Sequence, residues 1–148
     1  MIAYAARLGA DCAFFIHSGP CYAEGIGDLL TPVSLNLGGW YIGVVRPDIP
    51  VSTKDAFSRI MPHYPTRNCR EVVMQPVESW RKELTNDFED SVFALYPEIG
   101  KVKERLYDLG AVYAAMSGSG SALFGLFREY PDMLNRDFPD MFTFCGRL

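Results

Sequence analysis

The sequence predicts an α+β fold, and three observations predict it. From Trp40 onward the elements run strand, helices, strand, strand, helix, strand. Apolar spacing is near-continuous in the strand candidates and helical in the middle of the chain. A Ser-Gly-Ser-Gly-Ser stretch at 117–121 separates two apolar runs, as a strand-to-strand loop does. This order is ferredoxin-like, with extra helices in the first crossover. The 148 residues are 49% hydrophobic and 22% charged, a globular balance. They leave room for one domain, or for one small domain plus part of another.

Residues 1–9 read as a helix closed by Gly9. No capping residue precedes it, so it is either an element cut in its middle or a frayed terminal helix. The apolar segment 10–16 follows. Residues 21–24 and 29–35 are strand-like and are joined by Gly25-Ile26-Gly27-Asp28, a hairpin signal. Residues 40–45 form the clearest strand. Their unbroken apolar character predicts burial on both faces, and Pro47 and Pro50 end the run.

Helices are expected in the middle. Ser52 or Thr53 caps a helix that carries Ala56, Phe57 and Ile60 and stops at Pro62. Residues 71–84 are helical in pattern but broken at Pro76 into two short helices. Asn86 caps the next, Glu89 stands where a capping box needs it, and Phe88, Val92 and Leu95 form the apolar stripe. Pro97 opens the best helix, with Ile99, Val102, Leu106 and Leu109 on one face and Gly110 at its end. Residues 111–116 and 122–127 are strands, 130–136 a short helix and 141–145 a final strand. A boundary is expected near 46–51, where two prolines separate the early hairpin from the helices.

The formal charge of −4, with no run of Lys or Arg, excludes a general nucleic-acid binder but not a nucleotide-sized ligand. Cys12, Cys21, Cys69 and Cys145 form no CxxC pair, and His17 and His63 sit at no metal-ligand spacing to them. Buried thiols in a reducing compartment are the simpler reading, and no metal site is expected. No apolar stretch is long enough to cross a bilayer, and the first residues lack the basic flank of a secretory signal, so a cytoplasmic protein is expected.

Three places invite chemistry. Asp11, beside an apolar run, either caps a helix, is paired, or is functional, because an unpaired buried carboxylate is too costly. The loop Ser117, Gly118, Ser119, Gly120 and Ser121 leaves backbone N–H groups unobstructed, which suits an anion; it is equally what a tight turn requires. It is no Walker A loop, since no Gly-Lys-Ser/Thr ending follows. Thr53 and Phe57 lie one helical turn apart. They are either a cap and a core residue, or a hydroxyl and a ring that hold a flat base.

Four segments occur together across nearly the whole chain: Leu8-Gly9-Ala10-Asp11-Cys12-Ala13-Phe14-Phe15, Ala23-Glu24-Gly25-Ile26-Gly27, Asn86-Asp87-Phe88-Glu89, and Met116 through Gly125. In this order and spacing they resemble successive motifs of the GHMP family of small-molecule kinases, most closely the branch acting on 4-diphosphocytidyl-2-C-methyl-D-erythritol. The resemblance implies a remnant of that family's N-terminal domain over 1–46 and its ferredoxin-like C-terminal domain over 47–148. It implies ATP and magnesium as cofactors, and phosphorylation of a cytidine diphosphate-linked small-molecule substrate at its 2-hydroxyl, a step toward isoprenoids. Asp11 matches the catalytic aspartate that takes the hydroxyl proton. Thr53 and Phe57 match the cytidine pocket, Ile26 a neighbouring substrate contact, and Ser117, Gly118, Ser119 and Gly120 the loop over the phosphates. Ala13 departs from the family's usual proline, which loosens the turn after Asp11. The family's Gly-rich, double-Ser loop for ATP phosphates, and its lysine partner of the aspartate, do not occur in these residues. The expectation is therefore a chain without kinase activity by itself, whose early strands carry free edges open to self-association. Two rivals remain: a GHMP kinase for homoserine or a sugar, and a non-catalytic ferredoxin-like module.

Overall fold

The structure, a computed structural model, describes residues 14–16, 19–61 and 67–148. It divides into two compact units, Met1–Asn36 and Leu37–Leu148. The helix expected over 1–9 and most of the segment after it lie outside the described residues, Asp11 included.

In the first unit, residues 14–16 are helical, and β1 (Cys21–Glu24) pairs antiparallel with β2 (Leu29–Pro32) in the register Glu24 to Leu29. The expected hairpin is present. The Gly27 N–H donates to the Glu24 carbonyl at 3.1 Å across the turn, and the Asp28 carboxylate accepts from the Ile26 N–H at 3.3 Å. The second strand stops at Pro32 instead of residue 35: Val33 still donates to the Pro20 carbonyl at 3.0 Å, but Pro20 opposite has no N–H to return, so the pairing ends there.

The second unit is built on four antiparallel strands: β3 (Tyr41–Arg46), β4 (Tyr113–Met116), β5 (Leu123–Phe127) and β6 (Phe142–Arg147). Their spatial order is β4-β5-β3-β6, the ferredoxin-like order that the sequence predicts. β3 is central, hydrogen-bonded to β5 on one side and β6 on the other. It therefore belongs to this unit, and the division falls between Asn36 and Leu37 instead of at Arg46. The prolines that suggested the later boundary end a strand without ending a domain.

Helices α1 (Thr53–Phe57), α2 (Cys69–Val72), α3 (Val77–Glu83), α4 (Phe88–Leu95) and α5 (Pro97–Asp108) fill the long crossover, and α6 (Leu134–Asp137) the short one. Ser52 Oγ accepts from the Asp55 N–H at 3.0 Å, the expected cap of α1. That helix ends at Phe57, short of Ile60, because Ser58 donates both its N–H and its hydroxyl to the Asp55 carbonyl and closes the turn. Pro76 separates α2 from α3 as expected. Asn68 starts α2 two residues early by accepting from the Arg70 N–H at 2.9 Å. At the end of α5, Gly110 takes φ +96°, and Ala111 and Gly110 donate back to the Leu106 and Tyr107 carbonyls, a Schellman stop.

One sheet face packs on α4 and α5. Val45, Ala114, Met116, Leu123 and Phe127 meet Val92, Ile99, Val102 and Leu106 there, all essentially buried. Among the described residues, the opposite face is covered only toward β4, where the buried Trp80 of α3 stands edge-on to Tyr113 with ring centres 5.5 Å apart. Toward β6 it is open, with Phe142 and Phe144 more than half exposed. Burial of β3 on both faces is thus corrected: Gly43 and Val45 are buried, while Ile42 and Val44 are half-buried because no helix among the described residues reaches over them.

β4 lies at the margin of the sheet, yet its outward groups are occupied. The Tyr107 hydroxyl accepts from the Ala114 N–H at 3.1 Å and donates to the Ala114 carbonyl at 3.2 Å. Met116 is held by two side chains of α4 and its approach, described below.

Burial raises the Tyr113 phenol well above its ordinary value, and the nearby Glu89 charge adds to this. The folded state therefore holds this proton more tightly than the unfolded chain. The associated stability is present below about pH 10 and is lost as pH rises beyond it. Tyr113→Phe should flatten the fall in melting temperature between pH 9 and 11. At pH 7 it should cost about 1 kcal/mol, since the 3.2 Å bond to the Leu84 carbonyl goes. An alkaline profile identical to the parent's would disprove the assignment.

Candidate functional site

The Ser-Gly loop connects β4 to β5 and is shaped by two internal bonds. Ser117 N–H donates to the Ala122 carbonyl at 2.8 Å, and Gly120 N–H to the Ser117 carbonyl at 3.1 Å. Gly120 has φ +89°, and a Cβ there would stand 2.8 Å from Met116 Sδ, so both backbone and space demand glycine. Gly118, at φ +54°, faces open space. Among the described residues, the Gly118 and Ser119 N–H groups find no protein acceptor. Unpartnered N–H groups at a positive-φ turn form the concave donor set that takes an anionic oxygen. Ser121 Oγ donates to the Pro47 carbonyl at 3.0 Å, and a cavity of about 570 Å³ lies between residues 46–51 and 120–122.

The loop is gripped from α4. Asn86 Nδ2 donates to the Met116 and Gly118 carbonyls, both at 2.8 Å, while its Oδ1 accepts from the Phe88 N–H at 3.0 Å. Glu89, at 7% exposure, does not reach back to complete a capping box. Its Oε1 accepts from the Met116 N–H at 2.8 Å, and its Oε2 pairs with Lys103 Nζ of α5 at 2.5 Å. The expected box is thus replaced by a tertiary arrangement: the sheet-margin N–H of Met116 competes for the carboxylate and holds it.

Phe57, 60% exposed, ends α1 with its ring edge-on to Phe88, centres 4.9 Å apart. Phe88 follows the Asn86 clamp by two residues. The ring and the loop are therefore linked through one short stretch of α4. Thr53 is exposed at the start of α1. Asp55 ties α1 to α4, its carbonyl accepting from Ser91 Oγ at 3.3 Å and its carboxylate from the Tyr96 hydroxyl at 3.4 Å. Ile26 is 81% exposed in the β1–β2 turn of the other unit. The structure brings Phe57 and the loop 117–121 onto a common support. Asp11 lies outside the described residues.

The model for the C-terminal domain of GHMP kinases matches residues 69–134, from the start of α2 to the start of α6. The fold over these residues is that of a GHMP kinase C-terminal domain. Its matched stretch contains Asn86, Glu89, Lys103 and the whole loop. The chain is similar to proteins named 4-diphosphocytidyl-2-C-methyl-D-erythritol kinase. The one from Bacteroides fragilis is 52% identical over 145 residues, or 98% of this chain and 53% of the relative. That from Bacteroides thetaiotaomicron is 49% identical over 146 residues, covering 98% and 53%. The chain thus spans about half the length of the curated relatives it matches. A crystal structure of 4-(cytidine 5'-diphospho)-2C-methyl-D-erythritol kinase superposes with a TM-score of 0.82 at 28% identity, over 98% of this chain and 55% of that one. Homoserine kinase from Cytophaga hutchinsonii shares the fold alone, at a TM-score of 0.62 and 18% identity over 93% and 49% of the two chains.

Sequence reasoning missed the inward roles of Asn86 and Glu89, and it missed Lys103 altogether. One signal was available for the two charges. Glu89 lies three residues before Val92, and Lys103 four after Ile99, so each charge interrupts the apolar stripe of its helix. Charges placed there must find each other or another partner.

Proposed function

We propose that this chain forms the cytidine-recognising and phosphate-covering part of an ATP-dependent kinase. The enzyme phosphorylates the 2-hydroxyl of 4-diphosphocytidyl-2-C-methyl-D-erythritol, in the cytoplasm, on the route to isoprenoid precursors. The observation that carries the reading is 52% identity, sustained over 98% of the chain, to a relative of that name. In this reading Phe57 stacks on the cytosine ring. Its exposed face and its brace against Phe88 suit such a contact. Thr53 offers a hydroxyl to the same base, and Ile26 lines the neighbouring part of the substrate. Asp11 accepts the proton of the attacking hydroxyl as its oxygen bonds to the γ-phosphorus and ADP departs. The Gly118 and Ser119 N–H groups take phosphate oxygens. Among the described residues no three of His, Cys, Asp and Glu converge as a metal cage. Magnesium in this scheme arrives on the ATP phosphates, as it commonly does. Among the described residues no helix is long and apolar enough to cross a membrane.

Cytidine 5′-diphosphate at ten times its dissociation constant should raise the melting temperature of the chain by about 5 °C. Phe57→Ala should abolish the rise. ATP hydrolysis or transfer by these 148 residues alone should be undetectable, since they hold no Gly-rich, double-Ser phosphate loop. A chain indifferent to cytidine ligands, or one that turns over ATP unaided, overturns the proposal.

A further inference from the structure

We infer that Asn86, Glu89 and Lys103 are positioning residues for the phosphate-side loop, holding it so that the Gly118 and Ser119 N–H groups point outward as a preformed anion cradle. This deepens the kinase reading and rests on it for the identity of the anion.

The inference starts from the margin of the sheet. In an antiparallel strand, the N–H and C=O of one residue point the same way. Ser117 donates inward, to the carbonyl of Ala122 just before β5. Met116, one residue earlier, directs both of its groups outward, where no strand pairs with β4 among the described residues. Left alone, that pair of groups would bind water and leave the first residue of the loop to wander. Instead the carbonyl of Met116 takes Asn86 Nδ2 and its N–H gives to Glu89 Oε1, both at 2.8 Å. The same Asn86 nitrogen reaches the Gly118 carbonyl, so one amide ties the last strand residue to the first glycine. The amide orientation follows from its surroundings: two carbonyls on one side and the Phe88 N–H on the other.

Lys103 completes the device. Glu89 is buried, and a carboxylate in that position needs a counter-charge as well as an N–H. Lys103 supplies it from α5, which is packed by Ile99, Val102 and Leu106 against the sheet. The loop is therefore anchored to the longest described helix of the unit. A glycine-rich loop without such anchors loses much of its backbone order, and an oxyanion site works through donors already in place.

Asn86→Asp separates this role from simple helix capping. Aspartate keeps an oxygen for the Phe88 N–H and is as good a cap as asparagine, but it has no N–H for the two carbonyls. Asn86→Ala loses both functions. Backbone amide signals of Gly118 and Ser119 are followed by NMR while the chain is titrated with inorganic triphosphate. In the parent chain both signals should shift. In Asn86→Asp the apparent affinity should fall about tenfold, and the Ser117 and Gly120 amides should exchange about tenfold faster. The α4 amides should stay as protected as before. Asn86→Ala should show the loop defects together with fraying of α4. Unchanged affinity and unchanged loop exchange in Asn86→Asp overturn the inference, as does a parent chain whose Gly118 and Ser119 signals ignore triphosphate. The cytidine diphosphate response through Phe57 is measured on the same samples. Its loss in the parent chain would fault the kinase reading while leaving the loop result to stand by itself.

Discussion

Lys103→Met is expected to destabilise the Leu37–Leu148 unit by about 3 kcal/mol, lowering its melting temperature by roughly 10 °C. Methionine matches lysine in length but leaves the Glu89 carboxylate with only the Met116 N–H, inside a site that is 7% exposed. Removing one partner of a buried ion pair costs about 3–5 kcal/mol, and the 21% exposure of the Lys103 side chain places this case at the lower end. The signature lies in the double variant. Glu89→Gln combined with Lys103→Met removes both charges and keeps an oxygen for Met116, so it should recover most of the loss. Chemical denaturation at pH 7 measures all three chains. A single variant as stable as the parent, or a double variant no better than the single, would show that the pair is not coupled.

Trp80→Ala should cost about 3–5 kcal/mol, the range for emptying a buried aromatic site. Trp80 is 4% exposed, donates its ring N–H to the Gln75 carbonyl at 3.0 Å, and covers Tyr113 edge-on. It fastens the α2–α3 pair to the second face of the sheet, beside the buried Val72 and Val77 and the Tyr113 bond to Leu84. Phe142→Ala is the comparison. That ring lies on the same face of the sheet but is 57% exposed, so its loss should change stability by about 0.5 kcal/mol or less. Equal losses for the two aromatics would mean that the second face is covered more evenly than described.

The elements legible in the sequence were those fixed by local chemistry. Pro76 had to break a helix, Gly110 had to end one, and Ser52 was the hydroxyl placed to cap α1. The strand order followed from the alternation of strands and helices after Trp40. What escaped depended on partners far along the chain. The half-covered face of β3 reflects what packs against it, which the apolar pattern alone does not state. The two compact units divide about ten residues before the prolines at 47 and 50, which mark the end of a strand whether or not a domain ends with it. In the site, Phe57 and the loop 117–121 stood out as candidates from type and spacing, while the roles expected of them came from the family resemblance. Glu89 was named for the wrong partner. A capping box is a contact three residues long, whereas the bonds it makes reach Lys103 and Met116, 14 and 27 residues away. Its position on the apolar stripe was the clue to that competition.

The occupied margin of β4 gives the sheet a direction. An extended segment from another chain that approaches β4 finds the Tyr107 hydroxyl, the Asn86 amide and the Glu89 carboxylate already bonded to the groups it would need. At the far margin β6 pairs with β3 alone among the described residues, and Phe142 and Phe144 stand beside it in solvent. Among the described residues of this sheet, accretion of further strands, whether in misassembly or by an engineered peptide, is thereby directed to the β6 side, away from the loop 117–121.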